Sequence, residues 1–252
     1  EWIGQGERAW RGLRGRRIAM VFQDPMTSLN PYLRVEVQLV EVAEHHLGLG
    51  RRAARLRAVE ALERVGIPEA ARRIRAWPHE FSGGMRQRVM IAMALLGEPD
   101  LLLADEATTA LDVTIQAQIL DLLESLRRER GLAILLVTHD LGVVARLCDR
   151  VLVMYAGRIL EAADTDDLFS RPAHPYTRAL LRSVGRLDEE TPRELESIGG
   201  MPPRLDRGPF EACTFAPRCA WTQPRCLEGE PPLEPWAPRR LRRCRRRVED
   251  VT

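Results

Sequence analysis

The sequence predicts an α/β domain built on a parallel sheet, followed from about residue 170 by a small cysteine-bearing C-terminal appendage. Three observations predict it. Short, continuously apolar runs alternate with helix-like segments, the pattern of strands buried on both faces between crossover helices. After residue 170 prolines become frequent and strand-like runs stop. Four of the five cysteines, Cys213, Cys219, Cys226 and Cys244, fall in that tail; Cys148 alone lies upstream, in an apolar stretch that makes it a core residue.

The elements follow in order. Residues 17–22 (RIAMVF) read as a buried strand ended by Gln23-Asp24-Pro25. Residues 34–76 read as helices divided at Gly48, Gly50 and the Gly66-Ile67-Pro68 turn. Ser82 is a good N-cap for a helix running unbroken to Leu96, before Gly97 and Pro99. Residues 101–104 are an apolar strand ending in two acids. Residues 114–130 are an amphipathic helix with Ile115, Ile119, Leu122, Leu123 and Leu126 on one face, stopped by Gly131. Residues 133–137 form another buried strand and 141–147 a short helix. Residues 151–160 form a strand pair turning at Ala156-Gly157.

The totals are those of an ordinary globular protein, at 45% hydrophobic and 29% charged residues. The net charge of +2 gives no argument for a nucleic-acid partner. No apolar run reaches the length of a membrane span, and no signal peptide is present. The sequence contains no lysine, so every basic side chain is histidine or arginine.

Four segments carry chemistry. The strand Leu101-Leu102-Leu103-Ala104 delivers Asp105 and Glu106 at its C-terminal end, the ligand-binding edge of open parallel sheets. Asp105 suits a magnesium site, and Glu106 suits polarising a water for attack on phosphate. The plainer reading is that acids often end strands as caps. Ser82-Gly83-Gly84 opens a helix, where two glycines, the first-turn N–H groups and the dipole attract an anion; alone, the segment reads as a turn and N-cap. His139, after the strand at 133–137, is placed to bond a phosphate or hold a water, though a lone histidine there is more often packed or capping. Gln23, after the first strand, has an amide oxygen able to ligate a metal or hold water, and by itself means little.

Together, in this order and context, these segments resemble an ATP-binding-cassette (ABC) ATPase. FSGGMRQRV is similar to that family's signature motif, LLLADE to its Walker B, Ala110-Leu111-Asp112 to its D-loop, His139 to its switch histidine and Gln23 to its Q-loop. The resemblance implies an ABC-type P-loop NTPase core over residues 1–169, with an incomplete parallel sheet and a helical subdomain at about 34–98. It implies ATP and Mg2+ as cofactors and a second ABC subunit, identical or related, as partner. Ser82, Gly83 and Gly84 would face the γ-phosphate held by that partner. Gln23 and Asp105 would serve magnesium, Asp112 the D-loop contact, and Glu106 and His139 the hydrolytic step.

One part of the family pattern is missing. Its P-loop needs G-x-x-x-x-G-K-[ST], and without lysine there is no Walker A here. The expectation is an N-terminal truncation, residue 1 falling between the P-loop helix and the Q-loop strand, with no ATP hydrolysis by this chain alone. A non-catalytic remnant is the corresponding alternative. Ala107 is a second departure, since relatives usually carry proline after the catalytic glutamate; a modest effect is expected.

The branch of the family is read from details. FQDPMTSLNP, ADEATTALDVTIQAQIL, the RPAHPYTRAL segment at 171–180 and Ile198-Gly199-Gly200-Met201-Pro202-Pro203 resemble the ATPase subunits of bacterial dipeptide and oligopeptide importers. Nickel importers are the runner-up. The resemblance implies two membrane permease subunits as partners, a peptide-binding protein reached indirectly, and a peripheral place on the cytoplasmic face of the membrane.

The tail cysteines, spaced Cys213-x5-Cys219-x6-Cys226-x17-Cys244, lack the short knuckles usual for zinc. Four thiolates also suit an iron–sulfur cluster. In the resembling importers this tail holds a 4Fe–4S cluster, with zinc or an empty site as alternatives; Cys244, amid arginines, matches least closely. The run RRLRRCRRR at 239–247 reads as a solvated face, and His45-His46 as part of a surface helix.

Overall fold

The computed structural model describes residues 4, 6–23, 28–107, 111–183, 197–204 and 210–247. The expected turn at Asp24-Pro25 and the Ala110 position of the D-loop lie outside them. The chain forms two compact units, Glu1–His139 and Asp140–Thr252.

In the first unit a short helix α1 (Glu7–Arg11) precedes strand β1 (Ile18–Val21). Helices α2 (Val35–Leu47), α3 (Arg51–Arg64), α4 (Ala70–Arg73) and α5 (Gly83–Leu96) follow, then β2 (Leu101–Asp105), α6 (Val113–Arg130) and β3 (Ala133–Val137). The strands form a parallel sheet in the order β1-β2-β3, Ile18 opposite Leu101 and Leu101 opposite Ala133. Parallel pairing demands crossovers: α2–α5 carry the chain from β1 to β2, and α6 from β2 to β3. Ala54 and Ala58 of α3 are fully buried, small enough to let α2 and α5 pack close, and Leu39, Ala43 and Val89 fill the contact. Gly131 ends α6 in the left-handed region at φ 67°, its N–H closing on the Arg127 carbonyl.

One expectation changes here. The apolar runs predict strands buried on both faces. Ala19, Val21, Leu102 and Ala104 are buried, but Met20, Leu135 and Val137 are 41%, 53% and 54% exposed. Among the described residues, packing covers one face of β1 and β3.

The second unit begins with α7 (Leu141–Leu147), followed by β4 (Arg150–Tyr155), β5 (Arg158–Asp164), α8 (Thr165–Ser170) and α9 (Pro175–Ser183), then β6 (Glu234–Ala237) and β7 (Arg240–Arg242). The expected turn at Ala156-Gly157 joins β4 to β5. The four strands make an antiparallel sheet in the order β4-β5-β7-β6. One expectation fails at this point. Strands do not stop at residue 170: β7 hydrogen-bonds β5, with Ala162 opposite Leu241.

The arginine run is also not a solvated face. Arg240 is 4% exposed, with its guanidinium 4.2 Å from the Trp236 ring centroid. Arg243 donates to the carbonyls of Ile159 (3.0 Å) and Pro231 (2.7 Å). Cys148 is half-buried at the end of α7 rather than in the core. His45 is exposed on α2, whereas His46 is half-buried against Gly15.

Candidate functional site

Parallel strands end at the same edge of their sheet, and here that edge gathers three polar side chains. Gln23 lies two residues beyond β1, Glu106 one beyond β2 and His139 two beyond β3. The Gln23 amide donates from Nε2 to Glu106 Oε2 at 2.8 Å, and His139 Nδ1 lies 3.1 Å from Glu106 Oε1. The Glu106 backbone is in the left-handed region (φ 46°), an uncommon state for a non-glycine residue, and its N–H donates to the Val137 carbonyl at 2.9 Å. That bond ties the turn after β2 to the end of β3 and aims the carboxylate between its neighbours. The Glu106 side chain is 24% exposed and that of His139 70%, so the cluster is reachable from solvent. A carboxylate held on both oxygens, at an open sheet edge, suits orienting and deprotonating a water. Asp105, beside it at the last position of β2, is the carboxylate available to a cation.

Gln87 is a member that the motifs do not single out. It is fully buried and donates from Nε2 to the Ala107 carbonyl at 2.6 Å, tying α5 to the turn that carries Glu106. Its signal in the sequence is a polar residue three and four positions before Met90 and Ile91, on the buried face of α5.

The other predicted residues stand at helix N-termini. Ser82 is exposed and caps α5, its Oγ accepting from the Met85 N–H at 3.3 Å. Gly83 is exposed, and a Cβ there would meet nothing within 4 Å. Packing therefore does not demand glycine at this position. Gly84, half-buried, is in the first turn of the same helix. Asp112 caps α6, its Oδ1 accepting from the Ile115 N–H at 3.0 Å.

In the second unit, tight turns bring the tail cysteines together. The Cys213 N–H donates to the Cys226 carbonyl at 3.0 Å, and 3-10 turns at Ala216–Arg218 and Pro224–Leu227 fold the intervening chain back. Thr222 Oγ1 donates to the Ala216 carbonyl at 2.6 Å. Phe215, 2% exposed, anchors the loop against Tyr155 and Tyr176, with ring centroids 5.5 and 5.3 Å away. Arg218 donates to the carbonyls of Ile198 (2.7 Å) and Gly199 (2.8 Å). As a result Cys213, Cys219, Cys226 and Cys244 all line one cavity of about 10 Å³, and all four are free thiols. Burial pushes the thiols of Cys213, Cys219 and Cys244 above the ordinary value, and proximity to Cys226 adds to each shift. Arg242 and Arg246 pull Cys244 the other way. Among the described residues, no group of three or more His, Cys, Asp or Glu side chains is arranged to hold a metal ion.

Comparison with known proteins identifies the family. The ABC transporter family matches residues 5–109, and the oligopeptide/dipeptide transporter C-terminal region matches residues 160–226. The oligopeptide transport ATP-binding protein OppD of Salmonella typhimurium is 54% identical over 251 residues, covering 100% of this chain and 74% of the relative. OppD of Haemophilus influenzae is 50% identical, covering 92% of this chain and 71% of the relative. Among solved structures, the dimeric ATP-binding cassette MJ0796 bound to ADP and Pi superposes with a TM-score of 0.59 at 29% identity, covering 64% of this chain and 68% of that one. CbiO1 of Clostridium perfringens, part of an ABC transporter complex, gives 0.54 at 32% identity, covering 68% of this chain and 64% of that one. The chain belongs to the ATP-binding proteins of the ABC transporter family, in the branch that carries the oligopeptide transporter C-terminal region.

Proposed function

We propose that the chain is the ATPase subunit of a membrane importer of di- and oligopeptides. The carrying observation is the convergence of Gln23 and His139 on the two oxygens of Glu106, across 83 and 33 positions of sequence. Glu106 is the base that polarises the attacking water. His139 and Gln23 hold its carboxylate in place, and Gln87 sets the turn beneath it. Magnesium, when bound, offsets phosphate charge; Asp105 and the Gln23 amide are the groups that would hold it. Ser82, Gly83 and Gly84 face a nucleotide held by a second ABC subunit, and Asp112 lies at that same contact. The partners are this second subunit and two permeases, with a peptide-binding protein engaged through them. The chain works peripherally at the cytoplasmic face; no described helix is long and apolar enough to cross a membrane.

Peptide rather than nickel as cargo is supported by the relatives, which are oligopeptide transport proteins. The test is uptake by vesicles bearing the assembled transporter. ATP-dependent accumulation of a labelled tripeptide, with no accumulation of Ni2+, is expected; the reverse result overturns the reading.

We further propose that Cys213, Cys219, Cys226 and Cys244 hold a 4Fe–4S cluster. Four free thiols round one cavity supply the donor set. Thiols pushed up by burial become thiolates only against compensating positive charge, which iron supplies. The loop otherwise lacks regular structure beyond its 3-10 turns, and a metal staple stabilises such a segment.

A further inference from the structure

Gln87 is fully buried on α5, and its Nε2 donates to the Ala107 carbonyl at 2.6 Å. A carbonyl only accepts, so the partner fixes the amide orientation: the nitrogen faces Ala107. The other end of the amide, Oε1, is buried without a donor. An unpaired buried acceptor is unfavourable, and a methionine or leucine would fill the same space without one. Packing alone therefore does not account for a glutamine here; the bond to Ala107 does.

The turn held by this bond has two anchors. The Glu106 N–H donates to the Val137 carbonyl of β3 at 2.9 Å, which fixes one side of the turn to the sheet. The Ala107 carbonyl fixes the other side to α5. Ala107 is 3% exposed, so no solvent replaces the bond if it lengthens. The Glu106 backbone between the anchors is in the left-handed region, at φ 46°. A shift of α5 against the sheet pulls one anchor and not the other, and the backbone carrying the Glu106 side chain has to rotate.

The same helix begins at Ser82-Gly83-Gly84. Gln87 stands five residues after the N-cap, about 7.5 Å along the helix axis. The helix is unbroken from Gly83 to Leu96, and close packing transmits a displacement of its N-terminus rather than absorbing it. The next residue, Arg88, donates to the Gly66 carbonyl. Burial lowers the Arg88 pKa and the Asp112 carboxylate offsets part of that, so α5 also feels the cap of α6.

We propose that Gln87 is a positioning residue that couples two nucleotide sites, passing the engagement of Ser82-Gly83-Gly84 with nucleotide on the second ABC subunit to the turn that aims Glu106. The proposal rests on the reading of Glu106 as the base and of the α5 N-terminus as facing the partner's nucleotide.

Two substitutions test it in the assembled transporter. Gln87→Met fills the space and donates nothing. Its phosphate release at saturating ATP should fall about 10- to 100-fold, with half-saturating ATP unchanged and the cooperativity towards ATP lost. Gln87→Glu donates to the Ala107 carbonyl only when its carboxyl is protonated, and burial raises the pKa of that carboxyl. Its turnover relative to the unsubstituted transporter should therefore rise from about pH 8 to about pH 6. This arm stands even where Gln87→Met fails to fold. A fall in turnover with cooperativity retained makes Gln87 a local support of Glu106 and overturns the coupling. So does a Gln87→Glu pH profile parallel to that of the unsubstituted transporter, or an unsubstituted transporter without cooperativity. Unaltered Gln87→Met beside an inactive Glu106→Gln overturns this proposal alone. Undiminished turnover in Glu106→Gln overturns the base reading, and this proposal with it.

Discussion

Glu106 owes its geometry to two weak partners and a strained backbone, and each makes a distinct prediction. Glu106→Gln keeps the size and the contact with the turn but loses the charge that accepts a proton. In the assembled transporter it should lower phosphate release by about 100-fold or more while nucleotide binding persists. Loss of binding together with turnover would instead give Glu106 a binding role. A different acid, Glu161, is wholly structural. It accepts two backbone N–H groups, and Arg240 lies 3.8 Å away. Glu161→Ala strands all three, although Asp167 still faces Arg240 at 3.4 Å. A loss of about 3 kcal/mol is expected, the low end for breaking a buried pair. Urea unfolding followed in the near-ultraviolet CD of Tyr155, Tyr176 and Trp236 measures it, and Glu161→Gln should lose less.

Elements that end on local chemistry were legible in the sequence. Ser82 caps α5 and Gly131 stops α6, because each acts through its own side chain or its own φ; Asp112, read only for the D-loop, caps α6 as well. The Asp112 cap is separable from any nucleotide role. Asp112→Asn keeps the Ile115 hydrogen bond, so stability should hold, whereas Asp112→Ala should cost about 1 kcal/mol in thermal unfolding. A fall in turnover for the Asn variant with stability intact then reports the D-loop role. A close approach that no local pattern announces is Gly97, the C-cap of α5. A Cβ there would lie 2.2 Å from the Gly15 carbonyl oxygen, so Gly97→Ala should destabilise by about 1–3 kcal/mol, read from the urea midpoint. What stayed hidden was non-local. Pro235, Pro238 and the arginine run mask β6 and β7, which exist because β5 offers an edge some 80 residues earlier. The burial of Arg240 depends on Trp236 reaching its face, and composition alone reads that run as solvated. Likewise the polar residues Gln23, Glu106 and His139 were visible singly, while their meeting depends on the parallel register of β1, β2 and β3.

At the scale of the whole molecule the two units carry different chemistries. The first holds the carboxylate cluster and the two capped helix N-termini; the second holds the cysteine cavity. Neither supplies a lysine ammonium, since the 252 residues contain no lysine. Phosphoryl transfer needs the β- and γ-phosphate charge gripped as the bond breaks, and in P-loop enzymes a lysine and the backbone N–H groups of its loop do this. Arginine carries the same charge, but its planar fork is no substitute for a compact ammonium inside a tight phosphate loop. Glu106, His139 and Gln23 can orient a water, and the grip on the phosphates has to come from a group other than lysine. The purified 252-residue chain should therefore release phosphate from ATP at the rate of buffer alone. Glu106→Gln should make no difference to it, and a Glu106-dependent rate above background would show that another group of the chain grips the phosphates.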